Sequence, residues 1–367
     1  MHNIFMKRAI ELARLGVGHV DPNPMVGAVI VKNNEIIAEG WHKAFGKPHA
    51  EVDALAKTTD NLQNATMYVN LEPCSHYGKT PPCVKAIINA KIGCVVIGMK
   101  DPNPLVAGRG IQALKDAGIQ VIEDILNVEA KELNKTFIKY ITHKKPWIHL
   151  KTAMTLDGKI ATHTGESKWI TSEPARKYVH TLRHRYKGIM VGVGTVIADD
   201  PMLNVRSNEP KPNHPIRIVL DTHGRIPLES RLLNTTHSIP VWVFVSNKLD
   251  KKRIEKIVGK GGRVFPSPLI DDRIDIDFVM HKIGEENVNS ILLEGGGTLN
   301  WSMLSQGHVD SIDAFIAPKI IGGKDALTPV EGIGYMNMDE VIECTTLKPK
   351  AIGEDLLIST NILKRGD

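Results

Sequence analysis

Apolar positions recur along this chain in two alternating rhythms. In residues 4–15, Ile4, Phe5, Ala9, Leu12 and Ala13 form one helical face, and Lys7, Arg8, Glu11 and Arg14 interrupt any continuous apolar stretch. Short, mostly apolar runs follow at 26–31, 36–40, 67–70, 94–98 and 119–121 and read as strands. Between them the helical period returns at 49–57, 83–90 and 110–117. This alternation predicts an α/β sandwich with helices covering a mixed sheet. Residues 125–140 read as helix, and Thr142-His143-Lys144-Lys145-Pro146 is a polar joint ending in proline. We place a domain boundary there, with residues 1–145 before it and 146–367 after it.

After the joint the pattern restarts. Residues 147–154 read as a strand, Asp157-Gly158 as a tight hairpin turn and 159–163 as the return strand. A helix is expected over 172–186, with Ser172 or Thr171 as its cap and Glu173 and Pro174 in its first turn. Further strands are expected at 188–193, 216–221, 241–246, 290–294 and 313–321, and a helix at 299–305. The second domain is therefore also α/β.

Composition narrows the function. Of 367 residues, 42% are hydrophobic and 24% charged, as in soluble globular proteins. No apolar run reaches transmembrane length and the N-terminus lacks a signal-peptide pattern, so a cytoplasmic protein is expected. The net charge of +5 is mild, and the short basic clusters 143–145 and 251–253 lack interleaved aromatics. That argues against nucleic acid as a partner. Four cysteines leave no disulfide framework once two are assigned to metal.

Those two are Cys74 and Cys83, separated by eight residues and preceded by His49. One histidine and two cysteines can hold zinc with the fourth tetrahedral position open for water. Glu51, two residues after His49, is free to carry protons, as in zinc nucleobase deaminases. Mid-helix, positions i and i+2 point about 200° apart. His49 and Glu51 share a pocket only at a helix start, which Pro48 suits. Pro81-Pro82-Cys83 opens another helical run in the same way. A closed structural zinc site is the competing reading, and His42 or His76 could then supply the fourth ligand. Cys94 reads as a buried strand residue. Asp21-Pro22-Asn23-Pro24 recurs as Asp101-Pro102-Asn103-Pro104. Each copy is either a rigid turn or a means of presenting Asn23 and Asn103 to a heterocycle edge.

A second site is expected at Gly295-Gly296-Gly297, where a strand gives way to a helix and backbone N–H groups can face an anion. The dinucleotide fingerprint itself is absent, because Asn300 stands where its third glycine would be. A plain loop remains the alternative. Gly192-Val193-Gly194-Thr195 ends another strand, and Arg183 and Arg206 are candidates for an anionic group. Lys151 and Glu294 sit on predicted strands, where a charge is costly unless paired or functional.

Taken together, the motifs resemble those of the bacterial bifunctional riboflavin-biosynthesis deaminase/reductases. The matching blocks are residues 21–29, 49–51, 71–83, 101–110, 155–160, 167–172, 191–201, 293–299 and 317–323, in order along nearly the whole chain. The resemblance implies a cytidine-deaminase-like α/β/α sandwich followed by a dihydrofolate-reductase-like α/β domain. It implies zinc-dependent removal of the 2-amino group of 2,5-diamino-6-(5-phosphoribosylamino)pyrimidin-4-one, then NADPH-dependent reduction of ribosyl to ribityl. The zinc ligands map onto His49, Cys74 and Cys83 and the proton shuttle onto Glu51, with His76 and Lys79 touching substrate. NADP contacts map onto Ala153, Trp169, Thr195, Asp199, Thr222, Gly296, Gly297, Thr298, Leu299, Asn300, Trp301 and Ser302. Substrate contacts of the reductase map onto Ser167, Arg183, Leu203, Arg206 and Glu294. Lys151 or Glu294 is its proton donor. A homo-oligomer, dimer or tetramer, is also implied.

Two rivals stand beside this reading. A deaminase acting on nucleosides or tRNA needs a basic, aromatic-lined channel, and only 5% of these residues are aromatic. A zinc-stabilised binding module leaves Glu51 and the glycine turn without a role.

Overall fold

Val29 and Val31 of strand β1 (Gly27–Lys32) lie in one core, and Ala28 and Ile30 lie in another, because successive strand residues point to opposite faces. This strand belongs to the first of two units, Met1–Lys145 and Pro146–Asp367, in a computed structural model that describes residues 1–76, 81–104, 106–206 and 212–363. In the first unit β1 pairs antiparallel with β2 (Glu35–Trp41) and β3 (Thr66–Leu71), and β4 (Cys94–Met99) and β5 (Gln120–Ile122) continue parallel to β3. The sheet order is β2-β1-β3-β4-β5.

Helix α1 (His2–Ala13) covers the Val29 face with Phe5, Met6, Ala9 and Ile10. Ile4, expected on that face, is 70% exposed, and Met6 and Ile10 take its place in the stripe. The Ala28 face is covered by α2 (Ala50–Leu55), α3 (Cys83–Asn89) and α4 (Arg109–Asp116) through Ala54, Ile87 and Leu114. Each apolar side chain buried this fully contributes about 1.5–3 kcal/mol over an exposed one. Cys94 opens β4 and is half-buried rather than buried.

The helix expected over 125–140 is two helices, α5 (Asn127–Leu133) and α6 (Lys135–His143). Asn134 separates them with φ −104°. Its buried amide accepts from Met25 N–H at 2.8 Å and donates to Met25 C=O at 3.0 Å, a tertiary pairing that local periodicity does not reveal.

The second unit is built on a nine-stranded sheet. It comprises β6 (Trp147–Thr155), β7 (Gly188–Gly192), β8 (Ile216–Leu220), β9 (Val241–Ser246) and β10 (Arg263–Ser267). A short separate pair, β11 (Leu269–Ile270) and β12 (Arg273–Ile274), precedes β13 (Ser290–Gly295), β14 (Ser311–Ala317), β15 (Lys348–Ile352) and β16 (Asp355–Asn361). The order is β10-β9-β8-β7-β13-β6-β14-β16-β15, parallel as far as β14. Helices α10 (Ile276–Glu285) and α11 (Gly297–Ser305) cover one face. The other is covered by α7 (Glu173–Arg185), α8 (Val193–Asp199) and α9 (Lys251–Gly259).

Four local expectations need correction. Residues 159–163 form no return strand: Thr155 N–H donates to Lys159 C=O at 2.9 Å, but Ile160 N–H then turns away to Leu327 C=O at 2.9 Å. The stretch from Val193 is helix α8 rather than the end of a strand. The strand expected over 313–321 begins at Ser311 and stops at Ala317, before Pro318. Ser172 stands at the N-cap of α7, but its hydroxyl donates to Asp355 Oδ2 at 2.6 Å instead of capping the helix. Among the described residues no helix is long and apolar enough to cross a membrane.

Candidate active sites

His49 is the N-cap of α2, with extended backbone at φ −70° and ψ 161°, so Glu51 enters the first turn on the same side of the chain. Cys83 is the first residue of α3, and Cys74 follows the end of β3. The three ligand atoms of His49, Cys74 and Cys83 lie within 4.8 Å of one another. His49 Nδ1 is 3.2 Å from Cys83 Sγ and 3.5 Å from Cys74 Sγ. The Cys83 amide donates to Cys74 Sγ at 3.3 Å, a contact that favours the thiolate. The Cys83 thiol and the His49 ring, against the cost of burial, pull the Cys74 thiol down to about 4. Cys83 is pushed upward by the neighbouring Cys74 sulfur and by burial.

Glu51 is 3% exposed, and its Oε2 has no hydrogen-bond partner among the described residues. Burial first, and then the Cys74 sulfur, raises its carboxyl to about 7. A buried oxygen with nothing to bond to is costly unless a ligand completes it. One nitrogen and two sulfurs converging beside that oxygen form the donor set zinc prefers. The residues fit the metal.

His42 does not close the set. Its Nδ1 lies 3.0 Å from Pro48 C=O and so carries the proton, leaving Nε2 to accept from the Asn23 amide at 3.3 Å. Burial lowers its pKa, which keeps the ring neutral. His76 is exposed and lines the same cavity. Lys79 lies outside the described residues.

The cavity above Glu51 has a volume of about 320 Å³ and is lined by Asn23, His42, His49, Cys74, Asp101 and Asn103 among others. Both copies of the repeated tetrapeptide therefore reach one pocket. Buried Asn70 helps to set the first copy in place, accepting from Gly27 N–H at 2.8 Å and donating to Met25 C=O at 3.0 Å. In the second copy the Asn103 backbone N–H donates to Asp101 Oδ1 at 2.9 Å. Burial raises the Asp101 carboxyl to about 6, despite that hydrogen bond. Sequence reasoning misses Asp101, Asn70 and Asn134, although the repeat that contains Asp101 is a visible signal.

In the second unit, parallel strands bring the expected reductase residues to their carboxyl ends, where α/β sheets bind ligands. Ala153 is near the end of β6, the glycine turn follows β13, Thr195 follows β7 and Thr222 follows β8. Thr195 Oγ1 donates to Gly295 C=O at 2.9 Å, which ties two of these ends together. Gly295 has φ +39°, and a Cβ there would fall 1.8 Å from Asn300 Oδ1, so only glycine fits.

Three side chains of the 296–302 run hold another part of the chain. Asn300 donates to Pro329 C=O at 2.7 Å, Thr298 donates to Glu331 Oε2 at 2.8 Å, and Trp301 meets Tyr335 edge-on at 5.1 Å. Gly296 and Gly297 carry no side chain, and Leu299 and Ser302 follow on α11. Trp169 is 60% exposed, with the Arg176 guanidinium 4.5 Å above its ring. Ser167 is half-buried in the segment before α7, and Asp199 ends α8. Leu203 is buried with left-handed backbone at φ +47°.

Arg183 and Glu294 lie together. Two guanidinium nitrogens meet the two carboxylate oxygens at 2.7 and 2.8 Å, and the third donates to Asn204 C=O at 3.2 Å. Each guanidinium nitrogen of Arg183, a candidate for an anionic substrate group by sequence, therefore has a partner within the chain. Burial works to raise the Glu294 carboxyl, but Arg183 outweighs it and holds it at about 2. The two guanidinium bonds thus favour the ionised form of Glu294. Lys151, one position beyond the β6–β13 pair Leu150–Leu293, has its pKa lowered by burial against the opposing pull of Glu294. Arg206 packs on His180, with its amide 3.2 Å from Nδ1 and its Nε 3.3 Å from Nε2. Burial and the two arginines lower His180 to about 4, so the ring is neutral.

Known proteins resemble this chain over both units. Residues 1–99 match the family model for the cytidine and deoxycytidylate deaminase zinc-binding region, and residues 146–358 match the RibD C-terminal domain. The riboflavin biosynthesis protein RibD of Actinobacillus pleuropneumoniae is 46% identical over 354 residues, covering 96% of this chain and 93% of that protein. RibD of Aquifex aeolicus is 43% identical, with 96% of each chain covered. The solved structure of Acinetobacter baumannii RibD superposes with a TM-score of 0.88 at 35% identity, covering 99% of both chains. The diaminohydroxyphosphoribosylaminopyrimidine deaminase/5-amino-6-(5-phosphoribosylamino)uracil reductase of Thermotoga maritima gives 0.84 at 38% identity, again covering 99% of both.

Proposed function

Because this chain belongs to the family of bifunctional riboflavin-biosynthesis deaminase/reductases, we propose that His49, Cys74 and Cys83 hold its zinc and that Glu51 carries the proton of the deamination. The enzyme removes the 2-amino group of 2,5-diamino-6-(5-phosphoribosylamino)pyrimidin-4(3H)-one, giving 5-amino-6-(5-phosphoribosylamino)uracil. It then reduces the ribosyl side chain to ribityl with NADPH. The observation that carries the deaminase assignment is the convergence of three N/S donors in the cavity that Glu51 lines, its Oε2 having no partner among the described residues.

Bound zinc supplies Lewis acidity for activating water. Glu51 takes a proton from the attacking water at Oε2 and returns it to the departing amine, a role that the open valence of that oxygen suits. Asn23, Asn103 and His76 contact the heterocycle and its substituents from the cavity wall. Lys79 is assigned the phosphate by family likeness alone.

In the reductase, bound NADPH would supply the hydride for reduction of the ribosyl group. Ala153, Trp169, Thr195, Asp199, Thr222 and the backbone of the 296–302 turn orient the cofactor. Ser167, Leu203, Arg206 and the Arg183–Glu294 pair shape the substrate side. Lys151 donates the proton, since its neighbour Glu294 is committed to Arg183. A homodimer or tetramer in the cytoplasm is part of the same proposal, supported by the family likeness, and light scattering of the purified protein tests the assembly.

The test of function is direct. Adding the diaminopyrimidine ribosyl phosphate should change the ultraviolet spectrum without NADPH, and NADPH should be consumed only once deaminated product has formed. Cofactor oxidation before any deamination would overturn the assignment of the two steps.

A further inference from the structure

Glu72 sits two residues before Cys74, is 3% exposed, and takes no part in the chemistry described above. Its carboxylate accepts four backbone N–H groups. Oε2 receives those of Asp101 and Gly108, each at 3.0 Å, and Oε1 receives those of Gly110 at 2.9 Å and Ile111 at 3.2 Å. Gly110 and Ile111 belong to the first turn of α4, where amides lack partners within the helix. The N-cap of α4, Gly108, offers no side chain, so Glu72 satisfies that turn from outside. A negative charge is also favoured at a helix N-terminus.

The clasp has a second contact. A Cβ on Gly110 would lie 2.1 Å from Pro73 C=O, so the start of α4 rests directly on the peptide between Glu72 and Cys74. The residues caught between the two ends of the clasp include Asp101 and Asn103, which face the cavity. One buried side chain therefore joins the strand exit that carries Cys74 to the loop that forms the cavity wall.

We infer that Glu72 is a positioning residue for the deaminase, setting the Asp101–Asn103 wall at a fixed distance from the Cys74 side of the zinc site. The inference rests on the proposed reading of that cavity. Glutamine at this position keeps the shape but presents an NH₂ group where two amides need an acceptor, so half of the clasp is lost.

The experiment uses full-length Glu72→Gln. Zinc per chain should match wild type, and kcat should change little. The KM for the diaminopyrimidine ribosyl phosphate should rise about tenfold or more, as expected for loss of hydrogen bonds to a charged group. Combining it with Asn103→Ala should raise KM by less than the product of the two separate effects, because both act through one loop. An unchanged KM, or loss of zinc with a collapse in kcat, would overturn the inference. If the variant does not fold, amide exchange in wild type decides. The amides of Asp101, Gly108, Gly110 and Ile111 should then be as protected as those of β3, and free exchange there sinks the idea. If the wild-type enzyme does not deaminate at all, the functional reading has failed, a result distinct from every outcome above.

Discussion

Arg183 and Glu294 face each other with both guanidinium–carboxylate bonds made, at 2.7 and 2.8 Å, and with their side chains only 13% and 9% exposed. Removing one partner strands the other charge in a poorly solvated site. Arg183→Ala should therefore destabilise the second unit by about 3–5 kcal/mol. Chemical denaturation followed by circular dichroism checks this, and a loss under about 1 kcal/mol would show that the pair is worth no more than an exposed one.

The same pair makes a prediction about pH. Glu294 is held at about 2 against an ordinary value of 4.5, so its folded pKa is depressed. The stability it contributes is complete above the ordinary value and declines as pH falls toward about 2. Between those limits Glu294→Gln should show a shallower fall in melting temperature than wild type, although it is less stable at neutral pH. Parallel acid-denaturation curves would disprove the linkage.

Glu51→Gln should keep one zinc per chain and lose deamination, because glutamine cannot move a proton. Reduction of pre-deaminated substrate should survive. Cys83→Ser should lose metal along with deaminase activity, as read by metal analysis of purified protein. Full deaminase turnover in Glu51→Gln would remove Glu51 from the mechanism.

Arg206 is anchored on the neutral His180 ring, which leaves its charge unpaired by that neighbour. Arg206→Ala should raise the KM for phosphorylated substrate about tenfold while the KM for NADPH stays near wild type, as a charged hydrogen bond of roughly 1.5–3 kcal/mol requires. Equal effects on both would place Arg206 in the fold rather than at the substrate.

Each unit has its own core clusters, which predicts that the halves act alone. A fragment of residues 1–145 should bind zinc and deaminate without nicotinamide cofactor. A fragment of residues 146–367 should bind NADPH and reduce only deaminated product, and a chelator should silence the first alone. A second fragment that needed zinc would contradict the assignment.

Chemistry carried by neighbouring residues is legible in the amino-acid order itself. His49 and Glu51 two apart, and Cys74 and Cys83 each beside proline, point to a metal, a proton carrier and helix starts, because those spacings are local. Short apolar runs likewise place β1 and β3 close to their observed bounds. Ile4 escapes the expected stripe because a helical face is bounded by what packs against it, and the return strand at 159–163 is missing because Ile160 bonds to the distant Leu327 instead of to β6. Pairings between distant residues leave no such trace. Arg183 and Glu294 are 111 positions apart, and Asn134 reaches back 109 positions to Met25. Sequence by itself determined which chemical groups are present and the local backbone that carries them. Only the tertiary structure decided their partners, because β13 lies between β7 and β6, an order set by burial of whole strands rather than by any local pattern.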